Sequence, residues 1–303
     1  MSGVDHSADA GSMLDGIEDE VLDIVRSSSR CGLTSTVDEV QERLAAGNRD
    51  LAIKCAAAIE ALERSGRIVI DGGEIALHGH DEVSGSAFER RKRAVDYLSF
   101  GHAFLESVIP SVPDVIMAGI CGSVSYGSAG PADDVDIILI CRNGALWSVM
   151  KKVLLRARAL RKKEPWRPVI CLSYCADDAA FREEAANHRT GLFASDCLNI
   201  RVVKGEDYYL NVLSSNPWMR SRYPSTYDAR VGDGGKCATY FEEQNRFRNR
   251  LDYMLVGNYL RAMARGRNMM FRLRGNEHAL FTARIEKDRC VYASERWKRL
   301  EEG

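Results

Sequence analysis

The chain has 303 residues, 45% apolar and 28% charged, with a net charge of −1. Such a chain can bury a sizeable core in two or three units, and its charge balance excludes a generally basic, nucleic-acid-coating protein. No apolar run approaches the ~18 residues of a membrane span, and the polar, acidic start is no signal peptide. Nine cysteines without a CxxC pair read as small buried hydrophobes in a reducing cytoplasm, not as zinc or redox ligands.

Residues 1–12 are small and polar and are expected to be disordered. Ile17, Val21, Leu22, Ile24 and Val25 recur near helical spacing and predict a first amphipathic helix from Leu14. Thr36 opens a second helix, VDEVQERLA, which Gly47 stops. Asp50 caps a third, with Ala52, Cys55, Ala56, Ile59 and Leu62 inward and Gly66 at its end. RIVI-DGG-EIAL then reads as a hairpin, since Asp-Gly-Gly supplies the positive φ angles of a tight turn. Three helices and a hairpin over 13–80 make a winged helix. Lys54 and Arg64 on its third helix are offset by Glu60 and Glu63, and the wing carries Asp71 and Glu74. Docking or acceptor positioning is therefore favoured over DNA recognition, which needs several cations on one face. A connecting helix over 84–110 opens at Ser84-Gly85-Ser86 and ends at Pro110. Its Arg90-Arg91-Lys92-Arg93 run covers all sides of one turn, so at least one charge faces inward or toward a partner.

The most informative stretch is Val115 to Arg142. Val115–Ile120 is short and apolar, as a buried strand requires, and Gly122-Ser123 turns the chain at its end. After a further ten residues come Asp134-Val135-Asp136 and the apolar run Ile137–Ile140. Alternation along a strand points Asp134 and Asp136 to the same face. Two such carboxylates stay ionised only with a cation between them, and Mg²⁺ takes one or two carboxylates plus substrate phosphates. Asp133 reads as a loop residue that faces the other way or caps the loop.

Gly122, Ser123, the ten-residue gap, Asp134 and Asp136 resemble the motif of the DNA polymerase β-like nucleotidyltransferase superfamily. The resemblance implies transfer of a nucleoside monophosphate from an NTP to an acceptor hydroxyl, with release of pyrophosphate. It implies that Gly122 and Ser123 bind the triphosphate, Ser123 through its hydroxyl and N–H, and that Asp134 and Asp136 are catalytic and hold Mg²⁺ (or Mn²⁺). The order of segments is similar to prokaryotic nucleotidyltransferase-domain proteins with an N-terminal winged helix, through Leu146-Trp147, Leu172 and Tyr174, and Asn216-Pro217-Trp218. The implied fold class is α+β: a winged helix, a central nucleotidyltransferase mixed sheet with flanking helices over 111–228, and a helical, basic C-terminal region over 236–303.

Beyond the motif, Ala145–Leu160 predicts a helix with Leu146, Trp147, Met150, Val153 and Leu154 inward. Its basic residues, Lys151 through Lys163, read as a solvated face. The next strand, Val169–Tyr174, lacks the carboxylate that the superfamily usually places there, and Asp177 and Asp178 read as helix N-caps. A third ligand would then come from Asp177 or Asp196. Absence of one favours the alternative, a non-catalytic nucleotide-sensing or nucleic-acid-binding regulator. Asp196–Val203 predicts another strand, Gly205–Leu213 a helix, and Asn216–Tyr223 an aromatic-basic elbow that seals a domain seam or stacks a base. Asp228–Gly235 reads as a glycine-rich linker. The helix from Tyr240 to Met263 leads into Arg265, Arg267, Arg272 and Arg274, a candidate RNA or nucleotide contact. The acceptor, RNA or a small molecule, and the oligomeric state are not legible.

Overall fold

Two separate apolar patterns, one helical and one strand-rich, build two units. The computed structural model describes residues 7–30, 34–45, 49–78, 87–232, 246–276 and 280–294. One unit is Met1–Arg90 with Pro217–Asp233; the other is Arg91–Asn216 with Gly234–Gly303. The expected Gly47 stop, the Ser84-Gly85-Ser86 opening and residues 240–245 lie outside the described residues.

The first unit begins with α1 (Ser7–Arg30), β1 (Ser35–Thr36), α2 (Val37–Ala45) and α3 (Arg49–Arg64). β2 (Ile68–Asp71) and β3 (Glu74–Leu77) complete it as a hairpin. Helix starts at Ser7, so it covers half of the stretch expected to be disordered; Ala8 and Ala10 are strong helix formers. Thr36 opens α2 with a reciprocal pair: its N–H donates to Glu39 Oε2 at 2.8 Å, and its Oγ1 accepts the Glu39 N–H at 3.1 Å. Asp71 pairs with Glu74 across Gly72 and Gly73, both at positive φ. Ile17, Val21, Leu22, Val40, Leu44, Ile59, Leu62, Ile68 and Ile75 share one buried cluster. Arg90 is the inward charge of its basic run: it is buried and donates to the Thr34 carbonyl at 2.8 Å.

The second unit takes most of α4 (Ala87–Val108), then β4 (Val115–Cys121), the one-turn α5 (Gly122–Ser125) and β5 (Val135–Cys141). It continues with α6 (Leu146–Lys163), β6 (Ile170–Asp177), α7 (Asp178–Asn187), α8 (Gly191–Leu198), β7 (Arg201–Lys204) and α9 (Glu206–Ser214). The expected strand Asp196–Val203 is therefore split, its first half closing α8. The run is too short for periodicity to separate a helix end from a strand. α10 (Pro224–Val231) belongs to the first unit, where Thr226 Oγ1 donates to the Arg43 carbonyl. The core boundary expected at 228 falls inside this helix. α11 (Arg246–Asp252), a π-helical turn at Tyr253–Gly257 and α12 (Asn258–Leu273) follow.

The C-terminal region is not wholly helical. β8 (Phe281–Ile285) and β9 (Arg289–Ser294) form a hairpin closed by the Glu286 N–H donating to the Arg289 carbonyl. Both segments carry β-formers, and β9 adds to β6, with Cys175 opposite Cys290. The sheet order is β7-β4-β5-β6-β9-β8, with β5 and β6 parallel and every other pair antiparallel. The fold is thus mixed α+β around a mixed sheet. Ile120, Ile137, Leu139, Leu172 and Cys175 bury one sheet face with Leu105, Trp147, Met150, Val153 and Leu260. The other face carries Asp136, and there Tyr174 meets Phe181 of α7 with ring centroids 5.6 Å apart.

The start of α6 is satisfied by distant residues. Asp177 accepts the N–H groups of Gly144 (2.9 Å) and Leu146 (3.2 Å). Asn249 of α11 accepts those of Trp147 (2.7 Å) and Ser148 (3.3 Å). Asp177 thus caps the helix before β6 and makes no side-chain cap on α7, contrary to the local reading. Replacing Asn249 with Ala leaves two first-turn N–H groups without this buried acceptor and should cost about 1–3 kcal/mol. A urea unfolding midpoint checks it.

Candidate functional site

The lower end of β5 concentrates charge in an otherwise apolar strand. Val135 and Ile137–Cys141 are buried, and Asp136 alone breaks the run. Asp134 directly precedes the strand. In register, Asp136 lies opposite Cys121 of β4 and Cys171 of β6. Next to Cys121 the chain turns at Gly122, whose φ is +68°. A Cβ added there would stand 2.6 Å from Asp136 Oδ2, so the turn and the carboxylate occupy one tight corner.

Asp133 has a larger part than a plain loop residue. Its Oδ2 accepts the Ser123 hydroxyl at 2.8 Å and the Gly130 N–H at 2.9 Å, tying both ends of the Gly122–Asp133 loop together. The Ser123 hydroxyl, expected to face a phosphate, is engaged with this carboxylate.

A cleft of about 950 Å³ opens around this corner, lined by Gly122, Ser123, Asp133, Asp134, Asp136 and Asp196, among others. Burial pushes Asp136 up to about 7, with the charge of Asp134 adding, while a hydrogen bond from Cys171 pulls the other way. Asp134 is also raised, first by burial; the guanidinium groups of Arg267 and Arg161 oppose the shift. Both arginines line the cleft. Arg267 lies over the rings of Phe271 (5.8 Å) and Phe281 (5.7 Å). Arg158, one turn before Arg161, stacks on Tyr259 at 4.5 Å and donates to its hydroxyl, which ties α6 to α12. The basic stretches of α6 and α12 thus converge at the carboxylates, which charge counting along either segment alone does not reveal.

The two residues considered as a third ligand separate. Asp177 pairs with Cys141, five residues along β5 from Asp136, or ~17 Å at strand spacing. It is held by the α6 N-terminus and belongs to another region. Asp196 lines the cleft, accepts a hydrogen bond from Tyr126, and adds its charge to the forces raising Asp136. Among the described residues, no group of three or more His, Cys, Asp or Glu is placed to hold a metal ion. Asp134 and Asp136 put hard carboxylate oxygens in the cleft, and burial raises both.

Compared with known family models, curated proteins and solved structures, the chain matches none. Among the described residues, no helix is long and apolar enough to cross a membrane.

Two outcomes test this corner. Gly122→Ala must carry a positive φ and crowd Asp136, so it should lose roughly 1–3 kcal/mol of stability and weaken Mn²⁺ binding. Denaturant titration and Mn²⁺ relaxation measure the two. Because Asp136 is raised to about 7 from 3.8, the native chain retains a proton that the unfolded chain has released between those values. Metal-free stability therefore falls as pH rises through that window and levels off above it. Melting temperatures at pH 5 and pH 8 should show a smaller fall for Asp136→Asn than for the unaltered chain, by a few °C.

Proposed function

We propose that this chain is a nucleotidyltransferase of the DNA polymerase β-like type, moving a nucleoside monophosphate from an NTP to an acceptor hydroxyl. The observation that carries the reading is the corner in which Gly122, at the end of β4, leaves room only for the Asp136 carboxylate. The mixed sheet, the lining of one cleft by both Asp134 and Asp136, and the presence of Arg161 and Arg267 in the same lining support it.

In this reading Asp134 and Asp136 hold Mg²⁺, which when bound supplies positive charge at the phosphate under attack. Backbone N–H groups at Gly122-Ser123 receive the triphosphate, and the Ser123 hydroxyl joins them only by giving up Asp133. Arg161 and Arg267, which line the same cleft, offset phosphate charge. Phosphoryl transfer asks the protein chiefly for position and charge, which this sparse set of residues provides. The helix–helix–hairpin order of the first unit and its three-stranded sheet, β1-β3-β2, support a winged helix that docks a partner or positions the acceptor.

One observation favours a second reading. Cys171, not a carboxylate, lies opposite Asp136 on β6, as it would in a nucleotide sensor that keeps the pocket without turnover. Pyrophosphate release with each NTP and Mg²⁺ or Mn²⁺, with and without total RNA, separates the two. The enzyme reading expects release that falls to background in Asp134→Ala and Asp136→Ala while both variants remain folded. NTP binding without release, together with nucleic-acid binding that weakens steeply with salt, would replace it with the sensor.

A further inference from the structure

With Cys171 instead of a carboxylate opposite Asp136 on β6, the group that removes the acceptor proton is still to be assigned, and α7 brings a candidate to the site. This helix follows β6 at the far end of the sheet and runs back along it: Phe181 meets Tyr174, and Glu184 accepts the Tyr174 hydroxyl at 3.0 Å. His188, just past its end, lines the same cleft as Asp134 and Asp136, and no other histidine among the described residues does. Its ring lies parallel to Phe193 of α8, with centroids 5.0 Å apart and 4° between planes. Its Nδ1 stands 3.7 Å from Glu184 Oε1.

Glu184 is itself held. Its side chain is 11% exposed, and its Oε2 accepts from Arg289 Nη1 at 3.1 Å as well as from Tyr174. Arg284 Nη1 lies 3.9 Å from Oε1. A histidine between a fixed carboxylate and an aromatic ring has the arrangement of a base with its orienting partner.

Resting on the nucleotidyltransferase reading, we propose that His188 is the general base that accepts the proton of the acceptor hydroxyl, with Glu184 as its positioning residue. The acceptor oxygen bonds to the α-phosphorus, and the bond from that phosphorus to the bridging oxygen breaks with its electron pair leaving on pyrophosphate. The acceptor proton passes to a ring nitrogen of His188 and then to water. Glu184 of α7 is the charged group in contact with His188 Nδ1; Glu184 in turn meets Arg284 of β8 and Arg289 of β9, with Tyr174 of β6 and Cys197 of α8 as its titratable neighbours.

The test follows pyrophosphate release across the neutral pH range for the full chain, His188→Gln and His188→Ala, with Mg²⁺-NTP binding measured on each. His188→Gln should lower kcat by about 10²–10⁴-fold, lose the rising limb of the pH profile, and bind Mg²⁺-NTP as the unaltered chain does. Added imidazole should restore part of the turnover of His188→Ala, an effect that a merely structural histidine would not give. A His188→Gln protein with unchanged kcat and the same pH limb overturns the proposal and leaves the nucleotidyltransferase reading standing. An unaltered chain that releases no pyrophosphate from any NTP overturns both.

Discussion

The repulsion between Asp134 and Asp136, set at the lower end of a buried strand, is the constraint on which the site depends. Burial raises both carboxylates; the charge of Asp134 raises Asp136 further, and that of Asp133 raises Asp134. The surroundings moderate that cost without removing it: Arg161 and Arg267 act on Asp134, and Cys171 donates to Asp136. A chain built only for stability would place an apolar residue at 136 and continue the run Ile137–Cys141. Gly122 fits the same account, since its missing Cβ is the space that Asp136 fills. Residues that destabilise one another in an accessible cleft are where function is to be sought.

Much of the remaining structure keeps this corner in place. Asp133 staples the loop between β4 and β5 through Ser123 and Gly130. Asp177 and Asn249 satisfy the start of α6, whose later turns carry Arg158 and Arg161 to the cleft. The β8–β9 hairpin extends the sheet and presents Arg284 and Arg289 to Glu184 of α7. Elements distant in sequence thus meet at one end of the sheet.

What was legible in the sequence was local. The helix start after Thr36, the turn at Gly72-Gly73 and the apolar strand interrupted by a carboxylate depend on neighbours a few residues apart, and each is found. Partnerships over long separations were not legible. Asp177 reads as a cap for the helix that follows it, yet it serves the helix before. Arg161 reads as solvated charge and Arg267 as one of several candidate RNA or nucleotide contacts, and neither is tied to Asp134 until α6 and α12 converge. The β8–β9 strands were hidden because Phe281–Ser294 follows a strongly basic helical stretch, and only its pairing with β6 gives those residues a core face. His188 gives no motif at all, and its setting comes from the path of α7 and the stacking on Phe193.

The central claim is that the Asp134–Asp136 pair holds a divalent cation together with a nucleotide. Calorimetric titration of Mn²⁺ into the chain near pH 7, in two buffers of different ionisation enthalpy and with a non-hydrolysable NTP present, tests it most directly. The claim predicts saturable binding that releases protons, because Asp136 is raised to about 7 and must ionise to bind the metal. Both the binding and the proton release should disappear in Asp136→Asn. Binding that is absent, or unchanged in that variant, would contradict it.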